Sequence, residues 1–177
     1  MKPKELEKNL GYHFKNKKLL TTALTHSSFW REKNLLKSKP KVHYQRLEFL
    51  GDSVLGCVLS NRLFSLYPRQ NEGFLSKAYS ILSRREFLVK LAYDLEIPKY
   101  ICAGSVELKN LPPSIVEDVF EALVGALFLD AGFEETRTLV TGWFGDIKAQ
   151  LKRLITKDNP KGQLQEFFGA NAGKLNY

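Results

Sequence analysis

Two apolar runs of helical periodicity, each carrying a pair of carboxylates about one turn apart, constrain this chain more than any other feature. Over residues 44–67, Leu47, Leu50, Val54 and Val58, with a neighbouring row of Leu55 and Leu59, recur at steps of three and four. That period predicts one long helix with a broad apolar face, stopped by Pro68. A second apolar run at residues 114–130 follows Pro112 and Pro113 and ends before Gly132, the punctuation expected of a helix. Strict alternation is absent, so an all-α fold with almost no strands is expected. A further long helix is predicted after Asn71 as N-cap, with Glu72 in its first turn, running through Leu82 and Phe87 towards Tyr93. Residues 134–155 predict one amphipathic helix carrying Trp143 and Phe144, with Lys148, Lys152 and Arg153 opposing the dipole at its end. Pro98 and Gly104 bracket a short connection, and residues 33–42 and 157–161 read as loops.

Such helices need a core, and 177 residues with 44% hydrophobic and 26% charged content are enough to build one. No apolar run approaches the roughly 18 residues of a membrane span, and the opening MKPKELEKN lacks a signal-peptide centre, so a cytoplasmic protein with no membrane partner is expected. Cys57 and Cys102 sit in apolar surroundings without metal-ligand spacing and read as buried free thiols. The formal charge of +8 favours an anionic partner such as nucleic acid.

The chemistry of this basic protein is expected in its acids. Glu48 and Asp52, four apart, share one helix face, and so do Asp118 and Glu121, three apart. Carboxylates set among Leu, Phe and Val are expected to be partly removed from water and to need counter-charge. Arg46 is the basic residue available in these two stretches. Two readings are open: ordinary helix-surface acids paired with distant lysines, or ligands of a divalent metal. An all-oxygen donor set suits Mg²⁺, Mn²⁺ or Ca²⁺. A di-iron oxidoreductase would carry Glu-x-x-His pairs, which are missing, and His13, His26 and His43 lie outside both stretches. Gly51, beside Asp52, would admit close approach by another backbone or by substrate.

YQRLEFLGDSVL at residues 44–55 resembles the signature of the ribonuclease III family, whose common form is close to ERLEFLGDAVL. ALTHSS at residues 23–28, EGFLS at residues 72–76 and SIVEDVFEALVGALFLDAG at residues 114–132 resemble further family blocks in the same order and spacing. The resemblance implies an all-α endonuclease domain over residues 1–156 that pairs as a homodimer. It implies an enzyme that cuts double-stranded RNA by Mg²⁺-dependent phosphodiester hydrolysis, with Mn²⁺ as a substitute and no small-molecule cofactor. The family's four catalytic, metal-binding carboxylates fall on Glu48, Asp52, Asp118 and Glu121, where the metal sits near the scissile phosphate and activates water. The implied products are 5′-phosphate and 3′-hydroxyl ends with 3′ overhangs, one strand cut by each subunit. RNA processing, with ribosomal RNA precursors among the substrates, is the implied role.

Phe49 matches the family position whose ring plugs a cavity on the partner subunit; by pattern alone it would be a core aromatic. Glu72 matches an acidic residue near the catalytic valley, and Gln45 stands where many relatives carry a glutamate, keeping hydrogen-bonding capacity but no charge. Ser114 either supports the second acidic block or simply begins a helix, and His26 is expected to be structural. Residues 157–177 read as a linker and the truncated start of a double-stranded-RNA-binding domain, with Gln165 and Glu166 at positions that reach the RNA minor groove and Gly162 departing from the usual polar residue. Lys33, Lys37, Lys39, Lys41, Lys148, Lys152, Arg153 and Lys161 are candidate phosphate contacts. The competing reading is a catalytically inactive RNA-binding or structural member of the same fold.

Overall fold

The computed structural model describes residues 3–32 and 42–158, so Lys33, Lys37, Lys39, Lys41, Lys161, Gln165 and Glu166 lie outside the described residues. The helices are α1 (Pro3–Leu10), α2 (Lys17–Ala23), α3 (Ser27–Glu32), α4 (Gln45–Leu66), α5 (Glu72–Leu82), α6 (Arg85–Asp94), α7 (Ser105–Lys109), α8 (Pro113–Ala131), α9 (Phe133–Phe144) and α10 (Ile147–Asp158), with a 3₁₀ turn at Ile97–Tyr100. No strand forms among the described residues beyond an isolated bridge between Thr25 and Cys102. The all-α expectation therefore holds.

α4 and α8, the two apolar runs, pack against each other over the largest helix contact in the fold. α8 is buried along nearly its whole length through Val116, Val119, Phe120, Leu123, Val124 and Leu127, and α4 contributes Leu47, Val54, Leu55, Val58, Leu59 and Leu63. The crossing is backbone on backbone: a Cβ on Gly51 would stand 1.8 Å from the Glu121 carbonyl oxygen, and one on Gly125 would stand 2.2 Å from that of Leu47. The close approach expected at Gly51 is made by α8.

Two predicted helices are each divided in two. The run expected from Asn71 to Tyr93 breaks at Ser83 and Arg84, where Arg84 turns extended (φ −64°, ψ 143°) and its carbonyl accepts from the N–H groups of Phe87 and Leu88. The break re-aims α6 so that Phe87, Leu88 and Leu91 reach the core. The Asn71 cap is present, its side chain accepting from Phe74 N at 2.9 Å. The run expected over residues 134–155 breaks at Gly145, whose φ of 60° ends α9, and Asp146 caps α10 by accepting from Ala149 N at 3.1 Å. Residues 157 and 158, expected in a linker, continue α10. Cys57 is exposed on α4 rather than buried, because the helix turns that face outward, and Cys102 is half-buried; neither forms a disulfide among the described residues.

Candidate functional site

Five carboxylates converge where α4 crosses α8. Glu48 and Asp52 descend one side from α4; Glu117, Asp118 and Glu121 come from α8. Tyr44, buried at the entrance to α4, donates its hydroxyl to Asp118 Oδ2 at 2.7 Å. Burial, then the bond to Asp118, push this hydroxyl far above the usual phenol range, so it remains a donor. Tyr44 is itself placed by the segment ALTHSS: its N–H bonds Thr25 O at 3.1 Å, and its ring lies 5.6 Å from that of His26. His26 Nδ1 bonds Ser28 Oγ at 2.7 Å, and Ser28 Oγ accepts from Gly104 N at 2.8 Å, which makes His26 a structural residue as expected. Burial holds its imidazole below the usual range.

Charge at the crossing is poorly compensated. Burial first, then the charges of Asp52, Glu117, Glu48 and Asp118, push the Glu121 carboxyl up to about 8. The Glu48 carboxyl is also raised, by burial and then by Asp118, Asp52 and Glu117. Repulsion of this kind places the other four groups within electrostatic reach of Glu121, and Asp52, Glu117 and Asp118 within reach of Glu48 as well. Glu48, Asp118 and Glu121 are half-buried, as their apolar flanks predicted, but Asp52 is exposed. Arg85, at the start of α6, pairs with Glu117. Arg46 is exposed, and none of the charges acting on Glu48 or Glu121 comes from it. Tyr79 closes the far side, its hydroxyl 3.0 Å from where a Cβ on Gly56 would stand and within reach of the Asp52 and Glu121 charges.

Among the described residues, no three His, Cys, Asp or Glu side chains are gathered closely enough to enclose an ion as they stand. The donor set is nonetheless all oxygen, with an excess of negative charge. That chemistry fits a hard divalent cation, which for Mg²⁺ is usually held by one or two carboxylates, with water and phosphate oxygens completing the shell.

The other expected residues are scattered. Gln45 is the exposed first residue of α4, one turn before Glu48. Glu72 is exposed in the first turn of α5 and accepts from Ser76 Oγ at 2.6 Å; it is not among the charges acting on Glu48 or Glu121. Ser114 is half-buried in the first turn of α8. Phe49 is 79% exposed and Phe64 70% exposed, both on the outward face of α4, so neither is a core aromatic. Sequence reasoning missed Tyr44, Tyr79, Glu117 and Arg85. The signal for Tyr44 was its place at the head of the first motif, where a buried phenol needs an acceptor; that for Glu117 was a third acid beside Asp118.

A long helix crossing another glycine to glycine, with carboxylates from both at the seam, defines a helical domain with an acidic cleft. Comparison with known proteins places it. The family described as Ribonuclease-III-like matches residues 16–146. Ribonuclease 3 of Pseudomonas fluorescens is 39% identical over 173 residues, covering 96% of this chain and 71% of that protein. Ribonuclease 3 of Pseudomonas aeruginosa is 39% identical over 165 residues, covering 92% and 68%. The nuclease domain of ribonuclease III from Campylobacter jejuni, in a structure concerned with flexibility in the region of its dimer formation, superposes with a TM-score of 0.69 at 37% identity, over 88% of this chain and 97% of that one. The chain belongs to the ribonuclease III family and is a ribonuclease.

Proposed function

We propose that this ribonuclease is a homodimeric endonuclease that hydrolyses phosphodiesters of double-stranded RNA with Mg²⁺, or Mn²⁺ in its place, at Glu48, Asp52, Asp118 and Glu121. The observation that carries the reading is the meeting of carboxylates from α4 and α8 at the Gly51–Gly125 crossing, where the half-buried Glu121 carboxyl is raised to about 8 by burial and by its acidic neighbours, as suits a place for a cation. A divalent ion bound there would lower the pKa of a water and neutralise charge on the attacked phosphate. The chain's own residues have distinct parts. Tyr44 fixes one oxygen of Asp118, leaving the other for the ion. The Gly51–Gly125 crossing holds Glu48 and Asp52 against Glu121 on rigid helices. Asp52, exposed, stands on the side from which a duplex would enter.

The homodimer is drawn from the outward face of α4, where Phe49 and Phe64 lie exposed in line with Ser53 and Cys57. Phe49 is the aromatic anchor into the partner subunit. Residues 1–156 form the nuclease domain, residues 157 and 158 continue its last helix, and the remainder to residue 177 is a linker and the start of an RNA-binding domain, with Gln165 and Glu166 as minor-groove contacts. Gln45 and Glu72 lie near the RNA path. The products are 5′-phosphate and 3′-hydroxyl ends with 3′ overhangs, in cytoplasmic processing of ribosomal and other structured RNA. No helix among the described residues is long and apolar enough to cross a membrane.

Incubation of matched duplex and single-stranded RNAs with Mg²⁺ or chelator, followed by end-group analysis, tests this reading. Mg²⁺-dependent cutting of the duplex, leaving 5′-phosphates, is expected. Equal cutting in chelator, or binding of duplex without cutting, would refute it.

A further inference from the structure

The ion pair between Arg85 and Glu117 sits on the rim of the acidic cleft and belongs to none of the roles assigned above. Arg85 opens α6, immediately after the extended Arg84 that separates α5 from α6; Glu117 lies on α8, one residue before Asp118. Glu117 stands one helical turn before Glu121 on α8, and its charge reaches both Glu48 and Glu121. Its side chain is only 14% exposed, whereas that of Arg85 is 56% exposed. The contact is made through one edge: Arg85 Nε donates to Glu117 Oε2, and no hydrogen bond to either terminal amine of Arg85 occurs among the described residues. Arg85 also lies within electrostatic reach of Asp118.

An exposed ion pair contributes little to stability, so stability is a weak reason for this arrangement. Anchoring through Nε has a different consequence. It tethers the guanidinium at one edge while leaving the terminal donors open, and a planar pair of donors matches two oxygens of a phosphodiester. The cleft itself is negative and repels an RNA backbone, so a cation held at its rim is where the phosphate chain would be received.

We propose that Arg85 is an RNA-phosphate-binding residue at the rim of the cleft, anchored through Nε by Glu117 so that its terminal amines receive a backbone phosphodiester. The inference rests on the nuclease reading of the cleft, and Glu117 is the positioning residue for Arg85.

The test measures equilibrium binding of a short duplex RNA in chelator, and kcat and KM for its cleavage in Mg²⁺, across a salt series with the full chain. Arg85→Ala is expected to weaken binding and raise KM about tenfold. It should also reduce the slope of log affinity against log salt by about one. Arg85→Lys keeps the charge but not the fork, so the salt slope is retained while affinity falls less than in Arg85→Ala. The double variant Arg85→Ala/Glu117→Gln separates phosphate binding from mere neutralisation of Glu117. It stays as weak as Arg85→Ala if Arg85 meets RNA. Recovery to wild-type affinity in the double variant, or an unchanged affinity and salt slope in Arg85→Ala with an unchanged melting temperature, would overturn the proposal. Failure of the wild-type chain to cut the duplex would instead count against the nuclease reading, and the binding arm would still report on Arg85.

Discussion

A Cβ placed on Gly51 would stand 1.8 Å from the carbonyl oxygen of Glu121, closer than any two such atoms can sit. The residue beside Asp52 and the residue with the most perturbed carboxyl are thus joined through their backbones, so the geometry of the acidic cleft and the packing of the core are one structure. Gly51→Ala is expected to force α4 from α8, destabilising the fold by about 3 kcal/mol or more. Denaturant titration checks this, with an unchanged midpoint as the contrary result.

Tyr44→Phe removes the donor to Asp118 while leaving a buried ring of nearly the same shape. The fold should be retained, but Asp118 loses the bond that orients it. The loss in kcat is expected to be about tenfold, in line with one hydrogen bond to a charged group. Single-turnover cleavage with a parallel melting curve separates this from a stability effect.

The raised Glu121 carboxyl gives a signed pH dependence. In the metal-free folded chain it keeps its proton up to about 8, against an ordinary value of 4.5 in the unfolded chain. Its contribution to stability is therefore full below 4.5 and is lost as pH rises through about 8. Melting temperature in chelator should fall with pH across that window more steeply for the wild type than for Glu121→Gln, which cannot ionise. Mg²⁺ should bind more tightly as pH rises through the same range and release protons as it binds. Identical pH slopes for the two proteins would contradict the assignment.

Phe49 presents 79% of its surface to solvent, so replacing it leaves the monomer's core untouched. Phe49→Glu is expected to convert a dimer into a folded monomer, with a loss of about 2 kcal/mol or more of association energy. Sedimentation across a concentration series reads this directly; a variant that dimerises as the wild type does would remove Phe49 from the interface.

The long-range parts of the fold were the legible ones. The α4 and α8 runs announce themselves because burial over many turns imposes the helical period on Leu47, Val54, Val58 and their counterparts. The divisions at Arg84 and Gly145 were missed for different reasons. Gly145 followed by Asp146 is a helix stop and cap that could have been read. The break at Ser83–Arg84 has no proline or glycine and is imposed by the need to turn Phe87 and Leu88 inward. At the site, the four central acids stood out because carboxylates in apolar helices are costly. Tyr44, Glu117 and Arg85 did not, because their roles depend on which helices meet. Cys57 was misread because its apolar neighbours in sequence point inward while it points out.

Glu121, raised in the metal-free chain, is the proposed seat of the cation on which cleavage of duplex RNA would depend. Glu121→Gln tests this role most directly, since an amide replaces a carboxyl that already prefers its neutral form in the metal-free chain. Cleavage of duplex RNA in Mg²⁺ by this variant and by the wild type, with binding measured alongside, is the decisive comparison. Binding is expected to be retained and cleavage to be lost. Cleavage at the wild-type rate would contradict that role.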